Sequence, residues 1–188
     1  MGAAFFYLLS RRPLEHALPA LLERARARGW RVAVRGVDPA RMAWLDERLW
    51  LGPEEDFLPH GLADAPHAAR QPVLLTTASI CANDPHCLMS IDGAEVSVDE
   101  VQRLERVCVL FDGHDEGARN RARGQWAALT GAGCEAQYWS EESGRWEMKA
   151  EARPRDPGTD RGPDRGTGAG AGKDDGAGEA TGRDAGQG

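Results

Sequence analysis

The chain has 188 residues, with 23 Lys and Arg against 30 Asp and Glu, a formal net charge of −7 at neutral pH. An acid excess of that size argues against affinity drawn from neutralising a phosphate backbone, which scales with the Lys and Arg presented, although a local basic stripe stays open. No run approaches the roughly 18 apolar residues of a membrane span, so no spanning segment is expected.

The elements read in chain order. Ala4 to Leu9 is a continuous apolar run closed by Ser10, the pattern of a buried strand. Pro13 suits a helix start, and Leu14, Ala17, Leu18, Leu21 and Leu22 then recur at helical spacing until Gly29. Trp30 to Gly36 reads as a second strand. Asp38 is an N-cap with Pro39 at the first helical position, and Met42, Leu45, Leu49 and Trp50 share one face of the helix that follows.

Trp50 to Ala63, WLGPEEDFLPHGLA, follows neither the helical nor the strand period and reads as a loop, yet it carries Trp50, Leu51, Phe57, Leu58 and Leu62. Loops run over the surface, and clustered aromatics there are the usual anchors of a protein–protein interface. Inward packing of Trp50 at the helix end is the competing reading. His60 is read as structural, hydrogen-bonded within its loop.

Pro72 to Thr77 and His86 to Ile91 are two further strands, joined by an irregular Cys81 to Pro85 connection. Val107 to Phe111 is a buried strand and Glu116 to Leu129 a helix, ended by Gly131 and Gly133. Glu135 to Trp139 with Arg145 to Met148 forms a terminal strand or hairpin. Alternating strands and helices predict a three-layer α/β domain with a mainly parallel sheet. There is no internal repeat.

Composition divides the chain near Ala150. Residues 1–150 hold all the Trp, Tyr, Phe, Leu, Ile, Val and Cys, whereas 151–188 is dominated by Gly, Asp, Arg and Ala. Such a tail cannot offset an ordering cost of roughly 1–2 kcal/mol per residue and is expected to be disordered. A domain of about 150 residues buries about 70% of its unfolded surface without metal or disulfide staples. Cys81, Cys87, Cys108 and Cys134 show no C-x-x-C spacing, and MGAAFFYLLSRR lacks the layout of a signal peptide. Reduced thiols and a cytoplasmic location are therefore expected.

Two enzymatic readings follow from fold class alone. No G-x-G-x-x-G follows either early strand and no phosphate-binding Gly-Lys-Ser/Thr loop occurs, which speaks against a nucleotide cofactor; none is expected. FDGHDE places Asp112, His114, Asp115 and Glu116 beyond a buried strand, where a metal-dependent hydrolase would gather ligands. There is no second acidic cluster at another strand end, and Asp115 serves equally as an N-cap, with Glu116 favoured by the helix dipole.

Nine pieces in order, FFYL, RGWRVAVR, RMAWLDERLW, FLPHGLA, PVLLTT, DGAEV, VLFDGHDE, RARGQWAALTGAG and YWSEESGRWEMKA, resemble the chi subunit of bacterial DNA polymerase III over residues 4–150. FLPHGLA followed by PVLLTT is the most distinctive; the tail has no counterpart, and ASICANDPH is not what the resemblance would lead one to expect there. The resemblance implies a Rossmann-like fold without nucleotide chemistry. It implies an accessory subunit of the DNA-directed DNA polymerase assembly in replication, with no catalytic site of its own and contact with DNA mainly indirect. It further implies two partners, the acidic C-terminal tail of the single-stranded DNA-binding protein and a psi subunit that links chi to the clamp loader. A chi-like module serving a repair helicase is the variant reading.

The resemblance places the tail-binding site on the helix after Asp115, at Arg119, Arg123 and Trp126. Their i, i+4, i+7 spacing sets them along one stripe. Arg offers bidentate carboxylate contacts and Trp an apolar wall, as a short acidic peptide with an apolar end requires. A solvated basic face with Trp126 half in the core is the plainer reading. The resemblance would put another basic residue where Ala127 stands. It assigns the psi-like contact to Trp50, Phe57 and Leu58.

Overall fold

The computed structural model describes residues 2–52 and 57–153. The middle of the apolar loop, and the tail expected to be disordered beyond its first three residues, lie outside the described residues. In chain order the elements are β1 (Ala3–Leu9), α1 (Leu14–Arg26), β2 (Val32–Arg35), α2 (Pro39–Trp50), β3 (His60–Leu62), β4 (Val73–Thr76), β5 (Cys87–Ser90), α3 (Val98–Arg103), β6 (Arg106–Asp112), α4 (Glu116–Gly131), β7 (Glu135–Ser140) and β8 (Glu147–Ala152).

The strands form one sheet in the order β3-β4-β2-β5-β6-β1-β7-β8, with every pair parallel except β7 and β8. Because strand side chains alternate, each central strand feeds two cores. Tyr7, Leu9, Val32, Val34, Cys108 and Leu110 meet α1 and α2 on one face. Phe6, Leu8, Ala33, Val107, Val109 and Phe111 meet α3 and α4 on the other. This is the expected three-layer α/β domain.

Local chemistry explains the helix ends. Asp38 accepts a hydrogen bond from the Ala40 amide at 2.9 Å, with Pro39 behind it in the first turn. α4 runs through Gly131 and stops at Gly133, whose φ of 82° lies in the left-handed region. The Gly133 and Cys134 amides return to the carbonyls of Thr130 and Leu129, both at 3.0 Å, which closes the helix end.

Three elements differ from the sequence expectation. The apolar loop ends in β3, three residues that pair only with β4 at the sheet edge. α3 lies in a stretch expected only to turn; Ser97 and Glu100 form a reciprocal capping box at its start. β8 continues to Ala152, pairing Glu151 with Gln137, so ordered strand passes the boundary drawn at Ala150 by two residues.

Candidate functional site

α4 builds the first candidate. Asp115 caps it, accepting from the Ala118 amide at 3.1 Å, and Ala122 and Leu129 bury its inner face against the sheet. On the flank of that buried stripe, Trp126 is half-buried, with its ring edge-on to Phe6 at 5.3 Å and to Tyr138 at 6.3 Å. Tyr138 in turn lies 6.1 Å from Phe111. The register Leu8 opposite Phe111 and Phe6 opposite Tyr138 brings three strands under one helix.

These side chains enclose a cavity of about 440 Å³ whose lining includes Leu8, Phe111, Ala122, Trp126, Tyr138 and Ala150, with Arg119, Arg123 and Glu142 as its charged members. Both arginines are exposed. Among the described residues neither is in an ion pair, whereas Arg121, on another side of the helix, reaches Asp115 at 3.9 Å. The structure therefore brings Arg119, Arg123 and Trp126 to one cavity. Trp126 packs on the core and walls the cavity at once, so the two sequence readings of it are not exclusive. An apolar floor beside two unpaired guanidinium groups can seat an apolar side chain and a carboxylate together.

Sequence reasoning missed Phe111, Tyr138 and Glu142. Their strands neighbour α4 only through the sheet order, and no local spacing encodes that order.

The second candidate lies on the opposite face of the sheet. Trp50, the last residue of α2, is 53% exposed, and Phe57 is 69% exposed; their rings lie 6.0 Å apart. Trp50 thus leaves the buried face formed by Met42, Leu45 and Leu49, a correction to the expected helix stripe. Its ring instead covers that of His60 at 4.5 Å. His60 is buried, with Nδ1 2.7 Å from the Leu58 carbonyl and Nε2 3.1 Å from that of Asp46, the structural role expected of it. Leu58 does not join the exposed pair. It is 8% exposed, packs in the core, and shows itself only in a groove of about 770 Å³ between α1 and α2.

The acidic cluster is held by local structure. Asp112 Oδ1 accepts from the His114 amide at 2.8 Å, His114 Nε2 lies 2.8 Å from the Ser10 carbonyl, and Asp115 caps α4. Among the described residues no group of three or more His, Cys, Asp or Glu is placed to hold a metal. No helix is long and apolar enough to cross a membrane among the described residues.

Residues 1–137 match the model of the family described as DNA polymerase III chi subunit, HolC. The match ends inside β7, short of the closing YWSEESGRWEMKA piece of the resemblance. No curated protein matches the chain.

Proposed function

The chain belongs to the DNA polymerase III chi subunit family, and from that premise we propose that it is an adaptor with two partners on opposite faces of its sheet. The α4 cavity takes the acidic C-terminal tail of the single-stranded DNA-binding protein. The Trp50 and Phe57 surface takes a psi-like subunit that connects it to the clamp loader. Membership makes it an accessory component of the polymerase; the two contacts are our reading.

One observation carries it: Arg119 and Arg123, without ion-pair partners among the described residues, stand on a cavity walled by Trp126 and Tyr138. Exposed arginines are ordinarily left to solvent or paired with surface acids. Here they flank a recess walled by Trp126, Tyr138 and Phe111, which is the arrangement a peptide with an apolar terminal side chain and a free carboxylate completes.

Calorimetric titration of the full chain tests this. An acidic peptide ending in a free carboxylate on an aromatic residue should bind, and the same peptide lacking its last residue should bind far more weakly. Equal affinity for the two peptides, or none for either, would overturn the reading.

A further inference from the structure

We propose that Tyr138 and Glu142 are binding residues that decide which acidic peptide the α4 cavity accepts. The Tyr138 phenol donates a third hydrogen bond to the carboxylate held by Arg119 and Arg123, and Glu142 rejects a second acid beside it. This rests on the peptide-binding reading above. Both residues lie in the YWSEESGRWEMKA piece, just past residue 137 where the family match ends.

Alternation along β7 sets Ala136 and Tyr138 on the α4 side of the sheet, while Trp139 packs on the other. Phe111 and Trp126 fix the Tyr138 ring at 6.1 and 6.3 Å, which leaves its hydroxyl no packing role. Among the described residues that hydroxyl has no hydrogen-bond partner, and the charges that act on it are those of Glu142, Arg119 and Arg123. Burial first, and Glu142 second, hold the phenol above its ordinary pKa against the two arginines, so it keeps its proton and remains a donor. A neutral donor set beside two cations adds a directed hydrogen bond to a carboxylate without adding charge.

Glu142 reaches the cavity because consecutive glutamates after β7 diverge. Glu141 turns toward α1, where it is buried against Arg12, and Glu142 turns toward α4. The Glu142 amide donates to Ser140 Oγ at 3.3 Å, which fixes the turn that aims it. The charged lining is then two cations and one anion. One carboxylate is matched by that balance; a second adjacent one meets Glu142.

The test titrates the full chain and its Tyr138→Phe and Glu142→Gln variants with three synthetic peptides. The first is acidic with a free terminal carboxylate, the second is its carboxamide, and the third has the acid nearest the terminus changed to the amide. Tyr138→Phe should weaken the first by about tenfold, the scale of a hydrogen bond to a charged acceptor, and weaken the carboxamide peptide much less, because its carbonyl accepts only an uncharged hydrogen bond. Glu142→Gln should tighten the first by roughly threefold and abolish the wild-type preference for the third.

Equal losses on free-acid and carboxamide peptides would reduce Tyr138 to packing and overturn the proposal, as would unchanged binding in both variants. Circular dichroism checks the Tyr138 variant, and exposed Glu142 gives a readout independent of it. Loss of binding in Arg123→Ala with none in Tyr138→Phe or Glu142→Gln would overturn this inference alone. Failure of the wild type to bind the first peptide would remove the parent reading and this one with it.

Discussion

Glu141 and Arg12, 129 residues apart in sequence, meet at 3.0 Å at the end of β7, where the glutamate is 2% exposed. The same carboxylate accepts from the Arg11 and Arg12 amides at 3.2 and 3.1 Å. The turn after β1 is thus tied to the end of β7, the strand that pairs directly beside β1, and α1 starts from a fixed point.

Glu141→Ala should therefore lower stability by about 2 kcal/mol, since it strips two amides and a guanidinium of their acceptor while Arg12 regains water. Burial raises the Glu141 pKa, but the Arg11 amide and the Arg12 side chain and amide outweigh it and hold the carboxyl below its usual range. The pair then contributes fully above the unfolded carboxyl's pKa of about 4.3 and loses its contribution as pH falls through the lower folded value. Urea unfolding at pH 7 and below pH 4 should show the mutant and wild type converging in acid. A constant gap would place the stabilisation elsewhere.

Arg35 makes a second such tie. It is buried at the end of β2 and pairs with Glu100 of α3 at 2.6 and 3.0 Å, with the Glu95 carbonyl as a further acceptor. Arg35→Ala leaves a partly buried carboxylate uncompensated and should cost about 3 kcal/mol or more. Arg35→Met with Glu100→Gln should recover much of that loss, because burying a pair is itself expensive. Thermal melts of the single and double variants decide whether the pair or its packing matters.

Elements with local apolar runs or spacing were legible in the sequence: β1, α1, β2, α2, β4, β5 and β6 show it, and α4 was legible from its helix-forming composition and the Asp115 cap. β3 was hidden because three residues carry no period and its hydrogen bonds come only from β4. α3 was readable in principle, since Ser97 and Glu100 have capping-box spacing ahead of Val101 and Leu104. Half of the α4 cavity was legible, from one helix stripe; Phe111, Tyr138 and Glu142 were not, because the sheet order that assembles them is set by long-range packing. Trp50 sat at the right helical angle for the core, but α2 ends there and its ring passes over His60 instead.

Residues 154–188 contain no large apolar side chain, so a cut after Arg153, beyond the end of β8, should leave the thermal midpoint unchanged. A fall of several degrees, roughly 1 kcal/mol for a domain of this size, would show that the tail packs on the domain.

The apolar surface sorts by exposure. Phe57→Ala should leave the melting curve in place and cost about 2 kcal/mol in binding to a purified psi-like partner. Leu58→Ala should do the reverse, destabilising by roughly 2–4 kcal/mol as a core truncation. Trp50→Ala should show both effects, because its ring is half-exposed on the proposed partner surface and covers the His60 ring. Partner binding and circular dichroism measured on all three separate the roles. Unfolding of Phe57→Ala would assign that ring to the core.

The sharpest prediction concerns Arg123. Its guanidinium is exposed on the cavity, so Arg123→Ala should weaken an acidic peptide by about 1.5 kcal/mol, the low end for a charge-assisted hydrogen bond because water competes at the site. Arg123→Lys should recover only part of the loss, since a point charge cannot reproduce a planar fork. Added salt should weaken the wild type and matter less in the alanine variant, as the screened charge is then gone. Ala127→Lys, one turn further along the exposed side of α4, should act in the opposite sense and tighten the peptide by a few tenths of a kcal/mol, the scale of one more surface charge. Calorimetry of the four proteins at two salt concentrations reads all of these at once. Unchanged affinity in Arg123→Ala, with the thermal midpoint also unchanged, would remove α4 as the peptide site while leaving the family membership intact.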